Sequence, residues 1–175
     1  MIDDYLKDGE VLCDMMCGIG PLAVKAAVKR KGLKVICNDL NPEGFKYCQT
    51  NIKKNKVDKR VLPHNMDGRE FVKMVVAQSN LPEKERKLPK EFLRFDHCYM
   101  NLPAIAVEFL DVFIGLFKDA NPDIWYEDPK DAKTLKLPMI HVYGFTQEKE
   151  REDALNYFVD RIGKAMKYPF KKDMV

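Results

Sequence analysis

The sequence predicts an α/β fold: a doubly wound, mostly parallel sheet with helices on both faces. Three observations support this. Short apolar runs alternate with segments of helical period five times along the chain. A glycine-containing turn joins the first apolar run to the first helical segment. The chain has 175 residues, 46% of them apolar, which is enough for one domain with its own core.

The first two strand-helix units are bounded by clear signals. A buried strand over Val11–Met16 runs into a Gly-x-Gly turn, and Pro21 suits the first position of the following helix. A second strand over Lys34–Asp39 is followed by Asn41, a typical helix cap, and by a helix that reaches about Asn55.

The next two units are predicted from shorter patterns. A weak third strand covers residues 60–64, and a helix runs from Gly68 to about Ala77. The fourth strand is Phe95–Asn101. It precedes a predicted helix over Ala104–Phe117, whose apolar residues recur at helical spacing.

The chain ends with a fifth strand over Met139–Phe145 and an amphipathic helix over Glu148–Met166. Two charged segments interrupt the alternation. We expect Ser79–Arg94 and Asn121–Lys136 to be surface insertions, with the single tryptophan, Trp125, fixing the second one to the domain.

Composition excludes several classes of protein. The net charge is +3, too small for a basic arm or an acidic tail, and no apolar run approaches the roughly 18 residues of a membrane span. The first residues lack the apolar core of a signal peptide. There is no Cys-x-x-Cys pair, so we expect no metal, no disulfide framework and a reducing, intracellular location. The five cysteines are Cys13, Cys17, Cys37, Cys48 and Cys98.

The loop after the first strand carries a Gly-x-Gly-x-x-Ala pattern that begins at Gly18. By itself this is compatible with a plain strand-helix turn. Asp14 lies four residues before Gly18, where a carboxylate can hold a cationic amino group such as that of S-adenosylmethionine. A pyrophosphate of NAD would be disfavoured beside it. Asp14 could also be a purely structural acid.

The next two loops each carry an acid. Asp39 lies 19 residues after Gly20, a separation typical of a side chain that binds ribose hydroxyls. Helix capping is the alternative role for Asp39, although Asn41 suits it better. Asp67 and Gly68 stand where an adenine amino group could be recognised, but this pair is equally compatible with an ordinary turn.

The fourth loop reads Asn101-Leu102-Pro103. An asparagine amide can accept from and donate to the edge of a base, and proline stiffens the loop without adding a donor. In a methyl-transfer enzyme such a loop would hold a planar nitrogen nucleophile against the sulfonium methyl. Alone, the tripeptide indicates only the end of a strand.

With the four loops together, the chain resembles the archaeal and eukaryotic tRNA (guanine-N(1)-)-methyltransferase family, which methylates guanosine 37 beside the anticodon. The Asn-Leu-Pro tripeptide followed by Glu-Phe-Leu is the most specific match. The matching stretches, which span Val11 to about Phe145, are Asp14–Pro21, Asn38–Pro42, Asn51–Val57, Asn65–Phe71, Met100–Ala104, Glu108–Asp111 and His141–Phe145.

The resemblance implies a Rossmann-like class I methyltransferase fold, S-adenosylmethionine as cofactor and the anticodon region of tRNA as partner. It implies that Asn101 and Pro103 face the target guanine. We expect a monomer in the cytoplasm, nucleus or mitochondrial matrix, without membrane binding. The candidate cofactor-binding residues are Asp14, Cys17, Gly18, Gly20, Asp39, Leu40, Asn41, Asp67, Gly68 and Asn101.

Two departures from the family pattern lead us to expect a fragment, truncated at both ends, in which residues 1–175 form the methyltransferase domain. The family carries a general-base glutamate and an arginine upstream of the first strand, and Ile2–Glu10 does not match that segment. The family also continues into a closing hairpin, whereas this chain stops at Val175. Glu108 is expected to point outward along its helix. We therefore expect cofactor binding with poor methylation.

Three alternatives remain open. A related tRNA enzyme of wybutosine synthesis transfers the aminocarboxypropyl group of the same cofactor, although its fourth loop departs from Asn-Leu-Pro. An NAD-linked oxidoreductase and a non-catalytic RNA-binding module are the others. The RNA-binding alternative depends on lysine and arginine clusters at residues 25–34, 46–60 and 164–172, which either form solvated helix faces or contact phosphates.

Overall fold

The computed structural model describes residues 1–146 and 153–174. In these residues five strands form one sheet of order β3-β2-β1-β4-β5, and every neighbouring pair is parallel. The predicted doubly wound α/β fold is confirmed. The strands are β1 (Val11–Asp14), β2 (Lys34–Asn38), β3 (Val61–His64), β4 (His97–Asn101) and β5 (Met139–Tyr143).

Helices connect the strands, because parallel neighbours need crossover connections. No helix in the described part of the chain combines the length and apolarity of a membrane span. The start of the predicted last helix, up to residue 152, lies outside the described residues. The α-helices are α1 (Pro21–Lys29), α2 (Pro42–Lys54), α3 (Gly68–Asn80), α4 (Pro122–Trp125) and α5 (Ala154–Met166).

The α-helix predicted over Ala104–Phe117 is wrong in type and length. Residues Ala106–Phe113 form a 3₁₀ helix instead. Arg69 of α3 donates a hydrogen bond to the backbone carbonyl of Glu108 at 3.1 Å. The helix ends at Phe113, because Ile114 takes an extended ψ of 111°, and Gly115 follows with a φ of 69°.

The starts of α1 and α2 confirm the predicted capping signals. Gly20 precedes α1 with a φ of 80°, and Pro21 occupies the first turn. A Cβ atom at Gly20 would lie 2.6 Å from the Cys48 sulfur, so any other residue would clash as well as strain the backbone. The side chain of Asn41 accepts from the Glu43 amide at 3.0 Å and caps α2.

The two faces of the sheet bury separate sets of side chains. One set packs under α1 and α2 and includes Leu12, Val35 and Cys37. The other packs under α3, the 3₁₀ helix and α5, and it includes Ile36 and Met100. Because side chains alternate between faces along a strand, adjacent strand residues contribute to opposite cores.

The two charged segments are more than surface insertions, which corrects the prediction. In the first, Phe92 and Leu93 are buried in the main core. In the second, Trp125 is fully buried and its indole nitrogen donates to the Ser79 hydroxyl at 2.9 Å. Its ring also meets Phe95 edge to face, with centroids 5.4 Å apart. The predicted fixing role of Trp125 is confirmed, and the two segments are joined to each other.

Candidate cofactor site at the carboxyl edge of the sheet

The four polar residues singled out in the sequence come together at one edge of the sheet. Asp14 is the last residue of β1, Asp39 follows β2, Asp67 precedes α3, and Asn101 is the last residue of β4. The carboxyl ends of parallel strands meet at the same edge. From β1 the chain adds β2 and β3 on one side of the sheet, and then returns to add β4 and β5 on the other side. In α/β sheets the point between two such halves, here between β1 and β4, is where a ligand crevice opens.

Asp39 joins the first loop to the second. Its carboxylate accepts from the backbone nitrogen of Gly18 at 2.6 Å and from that of Asn41 at 2.9 Å. Gly18 has a φ of 56°, a conformation that glycine adopts without strain. Each carboxylate oxygen has a second lone pair, so Asp39 can support the loop and still accept from a ribose hydroxyl. Leu40 beside it is 68% exposed, open to contact with a flat ring.

Asn38 was not among the site residues predicted from the sequence. It is 1% exposed, and its amide nitrogen donates to the carbonyls of Met15, at 3.3 Å, and Met66, at 2.9 Å. Its side-chain oxygen accepts from the Met66 amide at 3.0 Å. One side chain therefore fixes the spacing of the first and third loops. The available signal was an asparagine at the end of an otherwise apolar strand.

The third loop has a structural role that the sequence left open. The Asp67 carboxylate accepts from the backbone nitrogens of Arg69 at 2.9 Å and Glu70 at 3.2 Å, so it caps α3. Asn65 donates to the carbonyls of Asp39 and Leu40 at 2.7 and 3.1 Å. The third loop thus supports the second at the same edge of the sheet.

Asp14 has the most unusual electrostatics of the site. Only 2% of it is exposed, and its Oδ1 atom has no hydrogen-bond partner within residues 1–146 and 153–174. Burial, with smaller contributions from nearby Cys48 and Asp39, raises the pKa of Asp14 to about 8, while a backbone hydrogen bond from Met16 opposes the shift. A cationic group placed against this oxygen would satisfy it and restore the charged form.

The fourth loop is fixed by contacts behind it. The carbonyl of Leu102 accepts from the amides of Ile105 and Ala106 at 2.9 and 2.8 Å, which forms a tight turn. The carbonyl of Ala104 accepts from Arg161 of α5 at 2.9 Å. Asn101 itself is exposed at the edge of the sheet. The loop is therefore rigid where it is anchored and open at the residue proposed to meet a substrate.

Arg161 also corrects the expectation for Glu108. Glu108 does not simply point outward, because its carboxylate forms an ion pair with the Arg161 guanidinium at 2.7 Å. Sequence spacing gave no signal for this pair, since 53 residues separate its members.

Cys17 occupies a different place from the other candidates. Its sulfur lies 3.9 Å from that of Cys48 in the core beneath the first loop. Only 6% of Cys17 is exposed. The Cys17 side chain therefore belongs to the core on the α1 and α2 face of the sheet.

Comparison with known proteins gives a consistent result. A family model described as the TRM5/TYW2 methyltransferase domain matches residues 1–152. A tRNA (guanine(37)-N(1))-methyltransferase of Danio rerio is 40% identical over 150 residues, covering 85% of this chain and 28% of the relative. One of the same name from Aspergillus fumigatus is 38% identical over 193 residues, covering 93% of this chain and 39% of the relative.

A solved structure agrees with these matches. The crystal structure of Trm5b from Pyrococcus abyssi superposes with a TM-score of 0.56 at 28% identity, covering 93% of this chain and 36% of that one. This chain therefore spans well under half the length of the relatives and of the solved structure that it matches.

Proposed function

This chain belongs to the TRM5/TYW2 methyltransferase domain family, and from that premise we propose that it is the S-adenosylmethionine-binding domain of a tRNA (guanine(37)-N(1))-methyltransferase. The observation that carries the proposal is the buried carboxylate of Asp14, which has an unpartnered oxygen among the described residues. Asp14 ends β1 at the carboxyl edge of the sheet, beside β4. The amino group of the cofactor's methionine end is a cation that suits this oxygen. A pyrophosphate would be repelled by it, which disfavours the NAD-linked oxidoreductase.

The other loops take the remaining parts of the cofactor in this proposal. Asp39 accepts from the ribose hydroxyls, and Gly18 allows close approach of the cofactor to the backbone, since a Cβ there would point into open space. Leu40 packs on the adenine, and Asp67 and Gly68 flank its amino group. When bound, S-adenosylmethionine supplies a methyl group activated by the positive sulfur.

Asn101 and Pro103 hold the guanine in the plane needed for in-line transfer. The Asn101 amide bonds the base edge, and the turn anchored at Leu102 keeps it in place. The ring nitrogen of guanine carries a proton that a general base must remove. We assign that base to a residue other than Asn101, Pro103 and the proposed cofactor-binding residues. These residues therefore support binding of the cofactor and the guanine more than turnover.

The partner and the location follow from the same proposal. The tRNA would contact lysine side chains of α2, among them Lys46, Lys53 and Lys54, which are exposed. We propose that the protein is a monomer. We also propose that it works inside the cell, in a reducing compartment, since all five cysteines are free and buried.

Aminocarboxypropyl transfer is the second candidate, because the family description names TYW2 beside TRM5. The curated relatives named above favour methylation, as does the Asn-Leu-Pro tripeptide. The mass of the modified tRNA made by the full-length protein separates a methyl group from the larger amino acid group.

Titration of the chain with S-adenosylmethionine, S-adenosylhomocysteine and NAD, followed by heat of binding and melting temperature, tests the cofactor assignment. We expect saturable binding of the first two. The Asp39→Ala variant should lose this binding, whereas Asp58→Ala, at an exposed position after α2, should keep it. A response to NAD alone, or equal affinity in Asp39→Ala and the wild type, would refute the proposal.

A further inference from the structure

Three cysteine sulfurs meet beneath the first loop. Cys17 comes from the loop after β1, Cys37 from β2 and Cys48 from α2, and the three sulfur atoms lie within 4.8 Å of one another. The Cys17–Cys48 and Cys37–Cys48 sulfur separations are 3.9 and 4.0 Å. All three residues are buried, and Cys17 is the one nearest to solvent. The cluster plays no part in the proposed transfer reaction.

These separations match those of thiolates around one metal ion. A zinc-sulfur bond of about 2.3 Å places sulfur ligands about 3.8 Å apart in tetrahedral geometry and about 4.0 Å apart in trigonal geometry. Two edges of the cysteine triangle already have these lengths. An ion could therefore be bound with little movement of the backbone. Thiolates are soft ligands that select Zn(II) and Cu(I) over Mg(II) or Ca(II).

We propose that Cys17, Cys37 and Cys48 form a binding site for a soft, thiophilic metal ion. Each metal-sulfur bond replaces a sulfur-hydrogen bond, so binding releases one proton per cysteine to the solvent. A tetrahedral ion takes water as its fourth ligand on the side of Cys17, the least buried of the three. The expectation of no metal came from sequence spacing. Cys37 follows Cys17 by 20 positions and Cys48 follows Cys37 by 11, and such separations do not reveal that the three sulfurs meet in the fold.

The residues packed around the cysteine cluster would let a bound metal restrain the first loop. Gly20 packs so closely on the Cys48 sulfur that a Cβ atom there would lie 2.6 Å away. The loop that carries Cys17 also carries Gly18, whose amide is bonded to Asp39. A metal bound to the three sulfurs would tie the first loop to β2 and α2, and thereby stabilise the edge of the sheet where the crevice opens.

Metal titration of the full chain, reduced and freed of metal by a chelator, tests the proposal. Cd(II) serves as the spectroscopic probe through its thiolate charge-transfer band, and Zn(II) is measured in competition with a coloured chelator. We expect saturation at one ion per chain and a higher melting temperature with either metal. Affinity should fall at least about tenfold in Cys37→Ala and in Cys48→Ala. It should be unchanged in the matched control Cys98→Ala, another fully buried cysteine.

Circular dichroism of the metal-free variants establishes whether each one folds. Should Cys48→Ala fail to fold, Cys48→Ser replaces it, because serine is closer to cysteine in size than alanine is and lacks the soft ligand. Absence of one-to-one binding in the wild type would overturn the proposal, as would equal affinity in the cluster variants and Cys98→Ala. The measurement involves no S-adenosylmethionine, so its outcome is separate from that of the cofactor titration.

Discussion

Arg161 of α5 and Glu108 of the 3₁₀ helix form a multidentate ion pair, with nitrogen-oxygen distances of 2.7, 2.7 and 3.0 Å. The same guanidinium donates to the carbonyl of Ala104 at 2.9 Å. The Arg161 side chain is 16% exposed, which limits screening by water. One arginine therefore links the last described α-helix to the loop that carries Asn101 and Pro103.

Removal of this arginine should loosen the fourth loop. We expect Arg161→Ala to lower the free energy of unfolding by about 1–2 kcal/mol, because it removes a half-exposed ion pair and a hydrogen bond to a backbone carbonyl. Urea unfolding measures the loss. Lys164→Ala, on an exposed position of the same helix, should stay within about 0.5 kcal/mol of the wild type. Similar losses in the two variants would contradict the role given to Arg161.

The affinity for cofactor should depend on pH through Asp14. Its pKa in the unliganded protein is raised to about 8, mainly by burial, so most of it is protonated at pH 6. A cationic amino group binds the ionised form. The apparent affinity for S-adenosylhomocysteine should therefore rise roughly tenfold from pH 6 to pH 7 and flatten near pH 8.

The Asp14→Asn variant should bind more weakly and lose this pH dependence, whereas Asp4→Asn, at an exposed position, should retain it. Calorimetric titrations at several pH values provide the comparison. The sign for stability is the opposite: the folded state holds the Asp14 proton more tightly than the unfolded state, so this group makes the unliganded chain less stable as the pH rises from about 4 to 8. A pH-independent affinity in the wild type would exclude Asp14 as the partner of the amino group.

The buried amide of Asn38 should be important for stability as well as for the site. Asn38→Ala leaves the Met66 amide and two backbone carbonyls without their present partner, and we expect a loss of about 2–3 kcal/mol. Chemical denaturation gives the value. Asn65→Ala removes hydrogen bonds at an exposed position, so its cost should be under about 1 kcal/mol. The hypothesis fails if the order of these two losses is reversed.

The contribution of the Trp125–Ser79 hydrogen bond to stability should be measurable by unfolding followed by tryptophan fluorescence, because Trp125 is the only tryptophan. Ser79→Ala leaves the buried indole nitrogen without its acceptor, and we expect a loss of about 1–2 kcal/mol. Thr50→Ala also removes a helix hydroxyl, which bonds the Lys46 carbonyl at an exposed position, and should cost less than about 0.5 kcal/mol. An unchanged unfolding midpoint in Ser79→Ala would show that the hydrogen bond adds nothing to the fixing of the segment.

Much of the fold was predictable because its signals are local. The strands are short apolar runs, and Pro21 and Asn41 mark helix starts through properties of their own backbone and side chain. The candidate site was predictable in outline because parallel strands bring their carboxyl ends to one edge, so residues such as Asp39 and Asn101 had to lie near each other.

The misjudged elements depend on distant contacts. The 3₁₀ helix Ala106–Phe113 packs against α3, and Arg69 of α3 binds the carbonyl of Glu108, 39 residues away. The buried parts of the charged segments are fixed by packing of Trp125 against Ser79 and Phe95, which no local pattern reveals.

Local patterns along the chain predict the succession of strands and helices, the caps and the polar residues at the strand ends, since each depends on nearby residues. The unpartnered oxygen of Asp14 among the described residues, the two loops joined by Asn38 and the meeting of three cysteine sulfurs are visible only in the folded chain. Burial and long-range hydrogen bonding are properties of the assembled chain. They arise when segments far apart in sequence exclude water from the same place.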